Sequence, residues 1–164
     1  MPAVVSDTSV LHYLSVTRQF GCLPKLFGQI FIPPAVWNEI NHVALPVHSL
    51  VKNAIADGWI KVQSPHDEQA VRSLLFSLGA GESQAIILAK ELRPSLVLID
   101  DLDGRMAAQK LNIPVMGTVG VLVRARKTGL IPELKPLLDE LIANRFRFDK
   151  ILYAEVLRDV GELK

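Results

Sequence analysis

The chain has 164 residues, of which 49% are hydrophobic and 21% are charged, and this composition excludes extensive disorder. The formal net charge of +1 means that binding of nucleic acid depends on local basic clusters and not on bulk charge. The single cysteine, Cys22, excludes an internal disulfide and predicts a cytoplasmic setting, and no apolar run approaches the roughly 18 residues of a membrane span. We expect one domain over residues 1–164, with no export signal and no membrane partner.

Short β-prone runs alternate with helical patterns along the chain. Strands are predicted at residues 2–6, 28–32, 59–63, 95–99 and 113–116. Helices are predicted through Val10, Leu11 and Leu14, along a stripe of Val36, Ile40 and Val43, over Leu45 to Asp57, 67–78, 82–89, 102–111 and 117–127, and in two or three pieces from Pro132 to Lys164. The alternation predicts an α/β fold with a mostly parallel sheet of about five strands, and Pro114 places the last strand at an edge.

The stretch from Gly79 to Asp101 is the most informative part of the sequence. Glu82 begins a helical face that continues through Ala85, Ile86 and Ala89, so a carboxylate lies on a stripe that should pack against the core. The buried strand that follows ends on two aspartates. In open α/β sheets the carboxyl ends of the strands are where ligands bind, so these acids are expected to meet in one pocket.

Other acids occupy similar positions along the chain. Asp7 follows the first strand, and Glu39 lies beside the apolar stripe of its helix. Each has a simpler interpretation, Asp7 as a helix N-cap and Glu39 as a solvated surface residue. Several carboxylates in one pocket repel one another, and a divalent cation removes that cost. Oxygen ligands without histidine or cysteine favour Mg²⁺ or Mn²⁺, which suits phosphodiester hydrolysis.

Basic residues near the acids are candidates for contacts with phosphate. Arg105 follows the aspartates by one helical turn, and an ion pair with Asp101 is the alternative to a phosphate contact. Arg124, Arg126 and Lys127 lie near the end of a helix, where cations are also stabilising without any ligand.

Four segments carry a resemblance to a known family. Residues 4–9, 33–40, 81–86 and 98–101 resemble the four acidic motifs of PIN domains, in the same order along the chain. Residues 117–122 with 125–131, together with the tail around 146–148 and 155–157, resemble a bacterial and archaeal subgroup of PIN-like proteins.

The resemblance implies a three-layer α/β/α fold, a strand order of 3-2-1-4-5 and metal-dependent ribonuclease activity. It matches Asp7, Glu39, Glu82 and Asp101 to the catalytic acids, of which Asp7, Glu82 and Asp101, with Asp100, are the expected metal ligands. Which of Asp100, Asp101 and Asp103 holds metal stays open. The residues expected around the ligands or at the substrate are Thr8, Ser9, Asp103, Arg105 and Thr118.

Three functions compete at this point. The first is a Mg²⁺- or Mn²⁺-dependent ribonuclease acting on single-stranded RNA. Kinship with the toxin nucleases of toxin–antitoxin pairs adds an antitoxin protein as a candidate partner and predicts a homodimer. The second is a non-catalytic PIN-like module that binds RNA or a protein. The third, a phosphatase of the haloacid-dehalogenase kind, is disfavoured because Ser9 stands where that chemistry needs a second aspartate.

Overall fold

The computed structural model of the protein describes residues 2–42 and 46–164. Its strands are β1 (Ala3–Ser6), β2 (Ile30–Ile32), β3 (Ile60–Val62), β4 (Ser95–Leu98) and β5 (Val115–Met116). They form one parallel sheet in the order β3-β2-β1-β4-β5. Its helices are α1 (Thr8–Val16), α2 (Cys22–Phe27), α3 (Pro34–Asn41), α4 (Val47–Asp57), α5 (Glu68–Leu74), α6 (Ala80–Glu91), α7 (Leu102–Lys110), α8 (Thr118–Lys127), α9 (Lys135–Ala143) and α10 (Lys150–Asp159). The predicted fold class and strand order are confirmed.

Apolar side chains cover both faces of the sheet. Because successive strand residues point to opposite faces, Val4 and Val5 enter two different apolar clusters. Val4 packs with buried residues of helices that include α1, α4, α8 and α9, whereas Val5 packs with α6 and α7. The result is the three-layer arrangement expected for a parallel sheet that is buried on both sides.

Helix α6 confirms the predicted apolar stripe. Ala85, Ile86 and Ala89 have no exposed surface, and Glu82 stands at the amino-terminal end of the same face. The helix therefore holds a carboxylate against the core through the packing of the residues that follow it.

Helix α5 is shorter than the predicted helix over residues 67–78. It ends at Leu74, and the side chains of Leu75 and Phe76 are 44% and 95% exposed. The stripe predicted for this helix was Val71, Leu74, Leu75 and Leu78, of which only Val71 and Leu78 are buried, so the apolar pattern does not form one continuous helical face. Helix α2 was not predicted, because six residues that include Pro24 carry no measurable helical period.

Two predicted positions lie outside the described residues. Val43, the third member of the α3 stripe, and Leu45, the predicted start of α4, belong to the segment 43–45. The other two members of the stripe, Val36 and Ile40, are fully buried, as predicted.

Strand β5 lies at the edge of the sheet, as Pro114 predicts. The carbonyl oxygen of Pro114 still accepts a hydrogen bond of 3.0 Å from the amide of Val97 in β4. Among the helices of the described residues, none is both long enough and apolar enough to cross a bilayer.

Candidate active site

The strand order brings the ends of β1 and β4 together. Ser6 pairs with Leu98, and the amide of Asp7 donates a hydrogen bond of 2.9 Å to the carbonyl oxygen of Leu98. The chain leaves β1 toward β2 on one side, while β4 continues to β5 on the other, so a crevice opens between β1 and β4. Asp7 and Asp100 follow the two strands at this crevice.

Asp7 is a buried acid, with 5% of its surface exposed. The pKa of its carboxyl is raised from 3.8 to about 7, mainly by burial, with a lowering effect of the Thr8 amide and smaller raising effects of the charges of Glu82, Glu39 and Asp100. Asp7 occupies the N-cap position of α1 but makes no side-chain capping hydrogen bond. A capping role alone therefore does not explain why this carboxylate is buried among other acids.

Glu39 is held in place by two donors although it lies at the surface. Its Oε2 accepts a hydrogen bond of 2.5 Å from the hydroxyl of Thr8, and its Oε1 accepts one of 3.1 Å from the amide of Gly81. A Cβ atom at position 81 would lie 2.7 Å from Oε1 of Glu39, so only glycine allows this approach. Gln84 strengthens the arrangement because its Oε1 accepts a hydrogen bond of 2.9 Å from the amide of Ala35, at the start of α3.

Glu82 connects the acids of β1 with those that follow β4. The pKa of its carboxyl is raised from 4.5 to about 7, mainly by burial. The charge of Asp101, a side-chain hydrogen bond with Asp101 and the charges of Glu39 and Asp103 contribute in the same direction. Because its charge also raises the pKa of Asp7, Glu82 interacts with both groups.

Asp100 and Asp101 have different partners. Asp101 is exposed, and its Oδ2 accepts a hydrogen bond of 3.0 Å from the amide of Gly104, so it caps α7. The two carboxylate oxygens of Asp100 accept hydrogen bonds of 2.7 Å from the amide and the hydroxyl of Thr118. Burial raises the pKa of Asp100, whereas the Thr118 donors, the Ser9 hydroxyl and Arg105 lower it.

Arg105 lies beside Asp100. Its Nη1 donates a hydrogen bond of 3.2 Å to the carbonyl oxygen of Ile99, and a Cβ at Gly117 would lie 2.8 Å from Oδ1 of Asp100 and 2.9 Å from this nitrogen. Within the described residues Arg105 makes no ion pair with Asp101, which was the alternative role.

The three cations at the end of α8 have structural partners. The guanidinium of Arg124 lies 5.1 Å from the ring centre of Phe27, and Arg126 and Lys127 form ion pairs of 3.0 and 2.7 Å with Glu162 and Asp159. These contacts favour the structural interpretation of the cluster over a contact with RNA.

The donor set fits a hard divalent cation in its chemistry. The groups at the crevice are carboxylates and hydroxyls, and burial, with a smaller contribution from the neighbouring carboxylates, raises the pKa values of Asp7 and Glu82. The Oγ of Ser9 is buried, and its hydroxyl interacts with Asp100, whose pKa it lowers. In residues 2–42 and 46–164, no three His, Cys, Asp or Glu side chains form a ready ligand cluster.

All of the predicted site residues therefore have a described contact or electrostatic link at the crevice; for Asp103 this link is its charge, which raises the pKa of Glu82. Sequence reasoning missed the supporting roles of Gly81, Gln84 and Gly117. For the two glycines the available signal was their position beside Glu82 and Thr118, because glycine allows other groups to approach the backbone closely.

Fold and crevice together define an α/β protein with an acidic cleft where its two central strands end. A family model, DUF3368, described as a PIN domain, matches residues 3–162. The chain belongs to this PIN-domain family, whose members are in general nucleases that act with divalent metal ions. No curated protein matches the chain.

Proposed function

We propose that this protein is an endoribonuclease that hydrolyses phosphodiester bonds of single-stranded RNA with Mg²⁺ or Mn²⁺. The observation that supports this most directly is the buried Asp7, whose pKa is raised to about 7 in the company of Glu39, Glu82 and Asp100. Burying a carboxylate beside other carboxylates costs free energy, and a bound cation offsets this cost. Carboxyl groups with shifted pKa values in a crevice are typical of functional sites.

The residues divide into roles that their contacts support. Asp7, Glu82 and Asp101 are the proposed ion-binding carboxylates, and Asp100, which lies next to Asp7, shares this role. Glu39, held by Thr8 and Gly81, is oriented to accept a proton at the edge of the crevice. When bound, a divalent ion neutralises charge on the phosphate and acidifies water.

Three further residues position these groups. The Ser9 hydroxyl favours the ionised form of Asp100, and Thr118 fixes the orientation of Asp100. Arg105 donates to the carbonyl oxygen of Ile99 and keeps a positive charge beside the aspartates, where a phosphate of the substrate would enter.

The direct test is cleavage of a labelled single-stranded RNA by purified protein. We expect cleavage with Mn²⁺ or Mg²⁺, none with EDTA, and at least a hundredfold loss in Asp7→Asn and in Asp101→Asn, because general acid–base and metal-assisted steps contribute factors of roughly 10² to 10⁴. Asp57→Asn, an exposed acid on α4, is the matched control and should retain full activity. Equal cleavage by all three variants would identify a contaminating nuclease.

The hydrogen bonds that Asp100 and Asp101 already accept favour a second function. Both oxygens of Asp100 and one of Asp101 already accept hydrogen bonds, and the described residues contain no ready cluster of three ligands. A non-catalytic module that binds RNA or a protein accounts for this arrangement. Binding of RNA without cleavage in Mg²⁺, Mn²⁺, Ca²⁺ and Co²⁺ would decide in its favour.

We further propose that the biological setting is a toxin–antitoxin pair, in which the protein acts as a cytoplasmic, homodimeric toxin. The test is co-expression with the protein encoded by the adjacent gene. Growth arrest by the wild type, relieved by that protein and absent in Asp7→Asn, is the expected result. Growth arrest that persists in Asp7→Asn would exclude a toxin that acts by cleavage.

A further inference from the structure

A groove of about 480 Å³ begins at the acidic crevice and extends over β5. Asp100 and Arg105 line the end nearest the crevice, and Phe146, Arg147, Phe148 and Leu152 line the opposite wall. Its size lies within the roughly 300–1,000 Å³ typical of small-molecule sites. The proposed function uses Asp100 and Arg105 but gives no role to the aromatic wall.

The aromatic wall is built from a short segment that is fixed at both ends. On one side the amide of Phe146 donates a hydrogen bond of 3.0 Å to the carbonyl oxygen of Leu141, which closes the end of α9. On the other side Asp149 caps α10 by accepting a hydrogen bond of 2.8 Å from the amide of Ile151. Residues 146–148 therefore belong to no helix or strand but are anchored at both ends by these hydrogen bonds.

Each phenylalanine of the wall is supported from behind. The ring of Phe146 packs edge-on against Tyr13 with 4.9 Å between ring centres, and the ring of Phe148 packs against Tyr153 at 5.9 Å. Both phenylalanines are partly exposed, so part of each ring remains free to contact a ligand. Rigid aromatic surfaces lose little conformational entropy on binding.

The charges of the groove favour an anionic ligand. Arg147 is exposed and forms no ion pair within the described part of the chain. Arg105 provides a second guanidinium at the crevice end. A ligand with a flat apolar ring and an adjacent phosphate matches both features, and a nucleotide has this composition. A purely apolar peptide would leave the guanidinium group of Arg147 without a partner.

We propose that this groove binds the nucleotide adjacent to the cleaved phosphate of single-stranded RNA, with its base against Phe146 and Phe148 and its phosphate near Arg147. The inference rests on the proposed function, since Asp100 lines the groove as well as the acidic crevice. It also explains a preference for single strands, because a base in a duplex has both faces covered by its neighbours.

The test measures binding of a short single-stranded RNA to protein carrying Asp7→Asn, which removes cleavage. Phe148→Ala in this background should weaken binding by roughly 5- to 100-fold, because stacking on an aromatic side chain contributes about that much per base. Phe148→Trp keeps an aromatic ring at this position and should bind the RNA about as tightly as protein with Phe148. Phe76→Ala removes a phenylalanine that is 95% exposed at another site, and it should leave affinity unchanged.

Arg147→Ala tests the phosphate contact separately. We expect weaker binding at all sequences and a slope of log Kd against log salt that is smaller by about one. Arg158→Ala, an exposed arginine on α10 that does not line the groove, is the matched control. An RNA that lacks one base provides a further control. When the abasic position occupies the groove, this RNA should bind equally to Asp7→Asn protein with and without Phe148→Ala, because no base is left to stack on Phe148.

The outcomes distinguish this proposal from the proposed function. Metal-dependent cleavage with unchanged affinity and KM in Phe148→Ala and Arg147→Ala would overturn the groove proposal and leave the ribonuclease proposal intact. Binding that depends on both residues, in a wild type that cleaves nothing, would support the groove and overturn the ribonuclease. If Phe148→Ala and Leu152→Ala instead convert a dimer to a monomer in sedimentation, without changing RNA affinity, the groove is a protein interface and the proposal fails.

Discussion

The burial of Asp7 makes the stability of the fold depend on pH. Its pKa is 3.8 in the unfolded chain and about 7 in the fold, mainly because of burial, so the folded protein holds a proton that the unfolded chain has lost between these values. Stability from this group is therefore complete below about pH 4 and is lost as pH rises to about 7. In EDTA, the free energy of unfolding of Asp7→Asn should exceed that of the wild type by roughly 2–4 kcal/mol once the pH has risen through that interval.

Urea unfolding at pH 4, 6 and 8 measures this gain. The difference between Asp7→Asn and the wild type should be small at pH 4 and largest at pH 8. Asp57→Asn, which replaces an exposed acid outside the crevice, should follow the wild type at each pH. A difference that stays constant from pH 4 to 8 would contradict a raised pKa for Asp7.

Gly81 offers a way to displace Glu39 without touching it. A Cβ at position 81 would lie within 3.0 Å of the carboxylate of Glu39, which is the flexible end of its side chain and can move away. Because alanine is also a better helix residue than glycine, Gly81→Ala should change stability by less than about 1 kcal/mol while it lowers cleavage at least tenfold.

Gly21→Ala is the control for this substitution, because a Cβ there would meet nothing within 4 Å. A double-mutant cycle with Glu39→Ala provides the measurement. If Gly81→Ala acts through Glu39, adding it to Glu39→Ala should cause no further loss of activity. Full additivity would show that Gly81 acts on the site in another way.

At the scale of elements, the clamp between Asp100 and Thr118 joins the end of β4 to the start of α8. Thr118 is fully buried, so Thr118→Val keeps the shape but leaves one oxygen of Asp100 without its hydroxyl donor. We expect a loss of roughly 1–3 kcal/mol in the free energy of unfolding, together with reduced cleavage. Thr118→Ser retains the hydroxyl and should keep most of both. Urea unfolding that shows equal stability for the two variants would contradict this clamp.

The sequence predicted whole elements better than their supporting contacts. The stripe on α6 and the edge position of β5 were readable because burial imposes a period of apolar residues and because proline is excluded from central strands. The predicted carboxyl-terminal end of α5 was wrong, because Leu75 continues the apolar pattern in the sequence but is exposed in the structure. The contacts of Gly81 and Gln84 with α3 were missed because they join residues that are more than 40 positions apart.

The positions of the acids could be read from the sequence, whereas their individual contacts could not. Asp7, Glu82 and Asp100 follow from strand ends and a helix stripe, and the structure links them electrostatically. Sequence spacing gave no basis for distinguishing Asp100 from Asp101. The structure separates them, because Thr118 holds one of them inside the crevice while the amide of Gly104 holds the other at its rim.

At the scale of the molecule, a divalent ion should stabilise the fold. At about 100 times its Kd, Mg²⁺ or Mn²⁺ would add roughly 2.7 kcal/mol, which corresponds to a rise of about 5–10 °C in Tm for a chain of this size. Glu82→Gln should reduce this rise, because it removes one proposed ligand. Thermal unfolding with Mn²⁺, and with EDTA as the reference, measures it. A Tm that is indifferent to both ions would count against a shared ion site.

The central position of β1 also has a consequence during synthesis. Asp7 is translated before β4, so β1 lacks its second neighbour until Ser95–Leu98 have followed. A nascent chain that ends before Ser95 already contains Glu39 and Glu82, yet it has no β4 to form the far wall of the cleft. Any chemistry that needs the complete cleft therefore has to wait until the ribosome has passed the codons of β4.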